Sequence, residues 1–281
     1  MTRLCALLAS AVIAAGCATA SPSPPAQRAS ASSSPSAAPS TAVPSTATAP
    51  ATPGARSTSP VTTPVPSNPA AFVEGEPYAP PIEPSDFVAV VDNTYLPWTP
   101  GTTWVFHGGE ERNVVSVLGR TKTILGVVTI VVHDQVFTAG ALTEDTFDWY
   151  AQDRAGNVWY FGEDTKELDE GKVTSTKGSW EAGVDGAQPG IVMLGQPTVG
   201  ETYRQEFLAG EAEDVAKVLM IGGSVDVHAG TFRRVIVPQD WSRLDPGVIE
   251  HKTYAPGVGV VLERLAKGGH EVVELMGVSR G

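Results

Sequence analysis

Residues 148–163 read D-W-Y-A-Q-D-R-A-G-N-V-W-Y-F-G-E, from Asp148 to Glu163. Two runs rich in aromatic residues flank Asp153-Arg154-Ala155-Gly156-Asn157. Such residues favour a pleated surface, and a glycine late in a short loop supplies the positive φ that a hairpin needs. The stretch predicts a β-hairpin. Its rings, Trp149, Tyr150, Trp159, Tyr160 and Phe161, mark it as the anchor of a core.

The same pattern repeats outward from this hairpin. Short Val/Ile/Thr/aromatic runs separated by Gly, Pro, Asp and Asn are abundant, and helical periodicity is scarce. Strands are predicted at 103–107, 113–118, 127–137, 146–151, 157–162 and 173–180. A second set is predicted at 202–208, 214–221, 224–228, 232–239, 249–255, 258–264 and 270–277, with a short helix at 84–91. The two sets read as copies. Gly101-Thr102-Thr103-Trp104 matches Gly200-Glu201-Thr202-Tyr203, and Leu125-Gly126 with Val131-Val132 matches Ala229-Gly230 with Val235-Ile236. Tyr150-Ala151 with Gly156 matches Tyr254-Ala255 with Gly259. Order and spacing hold over the whole repeat, which outweighs any single match. The expected fold is all-β and mainly antiparallel: a duplicated, strongly curved sheet or half-barrel with one or two short helices, its halves at about 93–183 and 191–281.

Ahead of this domain the chain changes character twice. Arg3, an apolar run from Leu4 to Ala15 and then Gly16-Cys17 describe a signal peptide, too short to span a bilayer. Ala14-Ala15-Gly16-Cys17 resembles the bacterial lipobox, with Ala14 where Leu is more usual. The resemblance implies a signal peptide at 1–17 and diacylation of Cys17, hence an exported protein held by lipid on the outer face of the cell membrane. Ordinary secretion with cleavage near Ala20 is the alternative. The only other cysteine, Cys5, lies inside the signal, so no disulfide and no Cys-based metal site is available to the mature domain. Residues 18–84 are dominated by Ser, Pro, Ala and Thr, a composition that cannot bury enough surface to offset ordering entropy and reads as a disordered tether. As a flexible coil its fifty or so most biased residues would reach about 40 Å.

The domain is then expected at 85–281. Arg3, Arg28 and Arg56 balance Glu74, Glu76 and Glu83, so the whole net charge of −12 falls within it. That excludes nucleic acid and electrostatic attachment to anionic headgroups as partners.

Two resemblances follow from these motifs. Trp149-Tyr150-Ala151-Gln152-Asp153, Gly156 to Asp164, Gly178-Ser179-Trp180-Glu181-Ala182-Gly183 and Tyr254-Ala255-Pro256-Gly257-Val258-Gly259 resemble the signature of a family of exported bacterial proteins and lipoproteins of unassigned function. That resemblance implies no catalytic residues. Gly-x-Thr-[Trp/Tyr] followed by meandering strands is weakly similar to envelope proteins with a lipoprotein-carrier-like curved sheet, which implies a cup for acyl chains.

Chemistry finds little foothold. There is no Gly-x-Ser-x-Gly, no phosphate-cradling glycine motif, no dinucleotide fingerprint and no His-Glu-x-x-His. His133-Asp134 and Glu250-His251 are adjacent pairs, but neighbours on a strand face opposite sides and cannot chelate alone. His251 stands where the first copy has Phe147, which reads as a core histidine or a polar anchor on a packed or ligand-facing side. No cofactor and no metal is called for. Asp153 to Asn157 reads as a hairpin turn, with a divalent cation as the alternative, Arg154 being unwelcome in such a loop. The surplus of rings is the better pointer. Trp149, Tyr150, Trp159, Tyr160, Phe161, Trp180, His251 and Tyr254 are the candidate ligand contacts, if one face of the hairpin is core and the other is not merely covered by a loop. The leading expectation is non-catalytic binding or carriage of an apolar or amphipathic ligand. A stalk-displayed module for protein or wall polymer comes second, and a metal-assisted hydrolase third.

Overall fold

A computed structural model describes residues 68–281 of the chain. The expected signal peptide, Cys17 and most of the expected tether lie outside the described residues.

The first half contributes β1 (Phe87–Val88), β2 (Thr102–Gly108), β3 (Glu111–Ile124), β4 (Val127–Thr138), β5 (Ala141–Asp153), β6 (Val158–Asp169), β7 (Lys172–Ser175), β8 (Trp180–Glu181) and β9 (Gln188–Met193). The second contributes β10 (Thr202–Arg204), β11 (Glu206–Phe207), β12 (Asp214–Ile221), β13 (Ser224–Val227), β14 (Gly230–Arg233), β15 (Ile236–Ser242), β16 (Ile249–Ala255), β17 (Gly259–Lys267) and β18 (Val272–Arg280). Every pairing among them is antiparallel. The main sheet runs β10-β12-β15-β16-β17-β18-β2-β3-β4-β5-β6-β9-β11.

The two ends of that order meet on one stretch of chain. Thr202–Arg204 pairs with β12, and Glu206–Phe207, a residue further on, pairs with β9. A single bent segment thus brings both edges together, and the sheet is a nearly closed barrel. Closure removes the open edges that would otherwise template aggregation. The all-β, antiparallel, strongly curved architecture is the expected one. The helix expected at 84–91 is instead a 3₁₀ turn at Pro84–Asp86 followed by β1, and it is the only helical element among the described residues.

The turns that open the two expected halves are hydrogen-bonded alike. The Gly101 N–H donates to Val117 O and the Gly200 N–H to Val218 O. One residue on, Thr102 N–H donates to Thr99 O and Glu201 N–H to Thr198 O. Both glycines hold a left-handed φ, 85° and 92°, which is why each copy begins with Gly. In each half a first strand, β2 or β10/β11, is followed by the same meander.

The folded body begins earlier than residue 85. Ala70 is fully buried, Ala71 bridges to Tyr203, and the Tyr78 hydroxyl donates to Pro189 O. Apolar side chains between the prolines dock on the barrel, so the Pro-rich composition of 68–84 misled as to order. Asn93 then ties the two central hairpins. Its Nδ2 donates to Gly156 O and Leu194 O, its Oδ1 accepts from Tyr95 and Leu96 N–H, and the neighbouring Thr94 O accepts from Gly257 N–H.

Candidate functional site

Strand alternation sends Asp148 and Tyr150 inward and Phe147 and Trp149 outward, so the central hairpin builds two different environments. Its turn is organised by Asp153. Oδ1 accepts from Ala155 and Asn157 N–H, while Oδ2 accepts from Asn157 Nδ2 and Trp159 Nε1. That is an Asx-type hairpin turn.

Inside, rings and carboxyl groups fill the barrel. Tyr150 stacks on Tyr160 at 4.9 Å, Trp180 stands edge-on to Tyr160 at 5.3 Å, and Trp98 packs against Tyr150 and Trp104. Tyr203 and Tyr254 join them among the largest fully buried side chains. Among these rings lie the buried carboxyls of Asp148, Glu163, Glu206, Asp240 and Glu263, and one buried ammonium, Lys252. Asp148 and Glu163 face each other across β5 and β6. The Tyr160 hydroxyl donates to Asp148 at 2.8 Å, Thr165 donates to Glu163 at 2.7 Å, and Trp180 Nε1 donates to Glu206 at 3.0 Å.

Like charges in a dry interior cannot all ionise. Burial pushes Asp148 up to about 7, against the pull of Tyr160 and with Glu144 adding to the rise. Burial and then Asp148 raise Glu163 well above its usual range, and burial and then Asp214 do the same to Glu206. Glu263 is raised by burial and by Glu250. Burial alone would lower Lys252, but Glu250, Asp240 and Glu263 around it hold its ammonium well above the ordinary value.

Outside, Phe147 and Trp149 floor a groove of about 450 Å³ lined also by Arg120, Thr121, Lys122, Val131 and Asp164. The Arg120 guanidinium lies 4.7 Å over Phe147 and the Lys122 ammonium 3.3 Å over Trp149. His133 stacks on Phe147 at 4.3 Å and meets Asp145 at 2.7 Å. Lys122 also pairs with Glu181 at 2.7 Å, and Lys166 with Asp164 at 2.8 Å. These ion pairs are about a third or more exposed, so each is worth little and yields readily to a competing anion.

The expected ligand contacts therefore scatter. Tyr150, Tyr160, Trp180 and Tyr254 belong to the packed interior. Trp159 and Phe161 point the other way but are covered by Phe87 of β1, at 6.2 and 5.6 Å. His251 sits on the outer face like its counterpart Phe147, half-buried, with burial and Arg264 lowering its pKa. Trp149 alone of the eight lines the groove. The groove's cations were missed. A signal was present, since alternation from the inward Val115 and Val117 places Arg120 and Lys122 on the outer face. Among the described residues no group of three or more His, Cys, Asp or Glu is arranged to hold a metal ion, and no helix is long and apolar enough to cross a membrane.

No family model matches the chain, and no curated protein matches it. Two solved structures are similar in part. One is a Bacteroides fragilis protein with a YmcC-like fold, named as exported, at 13% identity and a TM-score of 0.38, covering 67% of this chain and 100% of that one. The other is a Parabacteroides distasonis protein named as a lipoprotein, at 11% identity and a TM-score of 0.37, covering 66% of this chain and 99% of that one.

Proposed function

We propose that this chain is an exported lipoprotein, acylated at Cys17, whose barrel is a non-catalytic module that binds a small amphipathic anion in the outer groove. The observation that carries the reading is the placing of Arg120 and Lys122 over Phe147 and Trp149. Cations gather there on a protein of net charge −12. Val131 and the two rings offer apolar surface for a hydrocarbon or ring, and the two cations offer charge-assisted contacts for its anionic group. A volume of about 450 Å³ suits a small molecule.

Acyl carriage inside the barrel has weaker support. The inner face carries tyrosines and carboxyl groups where an acyl cup needs aliphatic walls. The tether and lipid fit a module held at the outer membrane face, where amphipathic anions occur.

Isothermal titration of the full chain with decyl phosphate, decyltrimethylammonium and decyl maltoside, each below its micelle concentration, tests the reading. Binding of the phosphate alone, lost at least tenfold in Arg120→Ala/Lys122→Ala, is expected. Equal binding of all three, or of none, would overturn it. Mass analysis of the mature amino terminus tests the anchor, with acylated Cys17 expected as the first residue.

A further inference from the structure

Lys252 is the amine of the sealed interior, 2% exposed, and its Nζ lies 3.3 Å from Oδ2 of Asp240, itself 2% exposed. Glu250 Oε2 is 3.5 Å from the same nitrogen. Glu263 faces Lys252 across β16 and β17, and among the described residues neither of its carboxyl oxygens has a hydrogen-bond partner. Asp240 is on β15 and Lys252 on β16, so a bond between them would join neighbouring strands.

We propose that Asp240 and Lys252 are a modification site, at which their side chains condense into an amide that staples β15 to β16. The balance is simple. The Lys252 ammonium passes one proton to the Glu250 carboxylate. The freed Nζ lone pair attacks Cγ of the protonated Asp240 carboxyl, the C–N bond forms and the C–OH bond breaks. The departing hydroxyl takes the second proton from nitrogen and leaves as water. One ammonium and one carboxylate are consumed, Glu250 ends protonated, and nothing is oxidised or reduced.

Three features favour this direction. Fixed neighbours react with effective concentrations of about 10⁵ M or more when their geometry is right. The three carboxyls hold the Lys252 ammonium above its ordinary value, so the proton transfer to Glu250 is the uphill step, and the dry interior then favours the neutral products. Burial already raises Asp240, Glu250 and Glu263, so carboxyls there are ready to hold protons. Exclusion of water also protects the amide once formed. The domain has no cysteine with which to staple itself otherwise. The first copy is an internal control, because Asp148 stands opposite Glu163 where Lys252 stands opposite Glu263, and no amine is present.

The test is a tryptic digest of the unfolded full chain, since trypsin cuts only after a lysine whose amine is free. The proposal expects peptide 244–252 to be absent. In its place a branched species should appear, 235–243 joined to 244–264, told from the uncut linear chain by its two amino termini. Full recovery of 244–252 with unmodified Lys252 would overturn it. Asp240→Ala should restore cleavage after Lys252 from none to complete. Continued blockage in that variant would assign the bond to another carboxyl and overturn the pairing. Unfolding is part of the assay, and the wild-type digest decides even where the variant folds poorly.

Discussion

Lys252 occupies in the second copy the place that Asp148 occupies in the first. Each faces a glutamate across its hairpin, Glu263 and Glu163, and each is followed two residues later by a buried tyrosine, Tyr254 and Tyr150. A register shift follows both pairs, so the match extends to the backbone irregularity. The two hairpins thus hold corresponding buried positions, one an acid–acid pair and the other a base–acid pair. The first is costly when ionised, and that cost has a measurable pH signature.

Asp148 is raised from 3.8 to about 7 in the folded chain. The folded state therefore holds a proton that the unfolded state has released, and stability falls as pH rises through that window. The penalty is absent below about pH 4 and complete above about pH 7, on the order of 4 kcal/mol for this group. Thermal melts should show a Tm that falls between pH 5 and pH 8. Asp148→Asn, which keeps the acceptor for Tyr160, should flatten that slope and raise stability at pH 8. A wild-type Tm that rises from pH 5 to pH 8 would contradict this.

Glu163→Gln should act in the same direction, because burial and Asp148 both raise that carboxyl. The two substitutions share one cause, the repulsion between facing acids, so removing either relieves the other. Their combined gain at pH 8 should fall short of the sum by about 1 kcal/mol or more, as coupled neighbours do. A double-mutant cycle from denaturant melts measures it. Strict additivity would mean that the pair does not interact.

Gly162, inside the aromatic signature, has φ 127°, and a Cβ there would lie 2.2 Å from the Trp180 carbonyl oxygen. Gly162→Ala should cost about 3 kcal/mol or more, through backbone strain and overpacking at once. Gly109 also has positive φ but open space around the missing Cβ. Gly109→Ala should cost about 1–2 kcal/mol, from the left-handed backbone alone. Equal denaturation midpoints for the two variants would remove the packing explanation.

Much of this fold was legible, and what was not had physical reasons. The duplication and the central hairpin were carried by glycine positions and ring-rich strands, which local chemistry dictates. β9 was not foreseen, because Gln188-Pro189-Gly190 reads as a loop. Gly190 is there for close approach, since a Cβ would lie 2.3 Å from the Gln205 backbone carbon. Only the closed barrel puts that bent segment beside it. Residues 68–84 read as tether because prolines dominate, while the few docking side chains, Ala70 and Tyr78, carry little local signal. The site was least legible. Aromatic residues were visible as a surplus, but which face of each strand is covered by β1, which is interior and which is open depends on distant segments. Lys252 and Glu263 look like ordinary surface charges until closure turns their face inward.

On the proposed reading ligand enters the outer groove and not the barrel interior. Mapping of backbone amide shifts by NMR on the full chain during titration with decyl phosphate tests it most directly. Saturable shifts are expected at Arg120, Lys122, Val131, Phe147 and Trp149, with Tyr203, Lys252 and Glu263 unmoved. Shifts centred on the interior residues would return the ligand to the concave face, and an unchanged spectrum at saturating phosphate would contradict ligand binding at the groove.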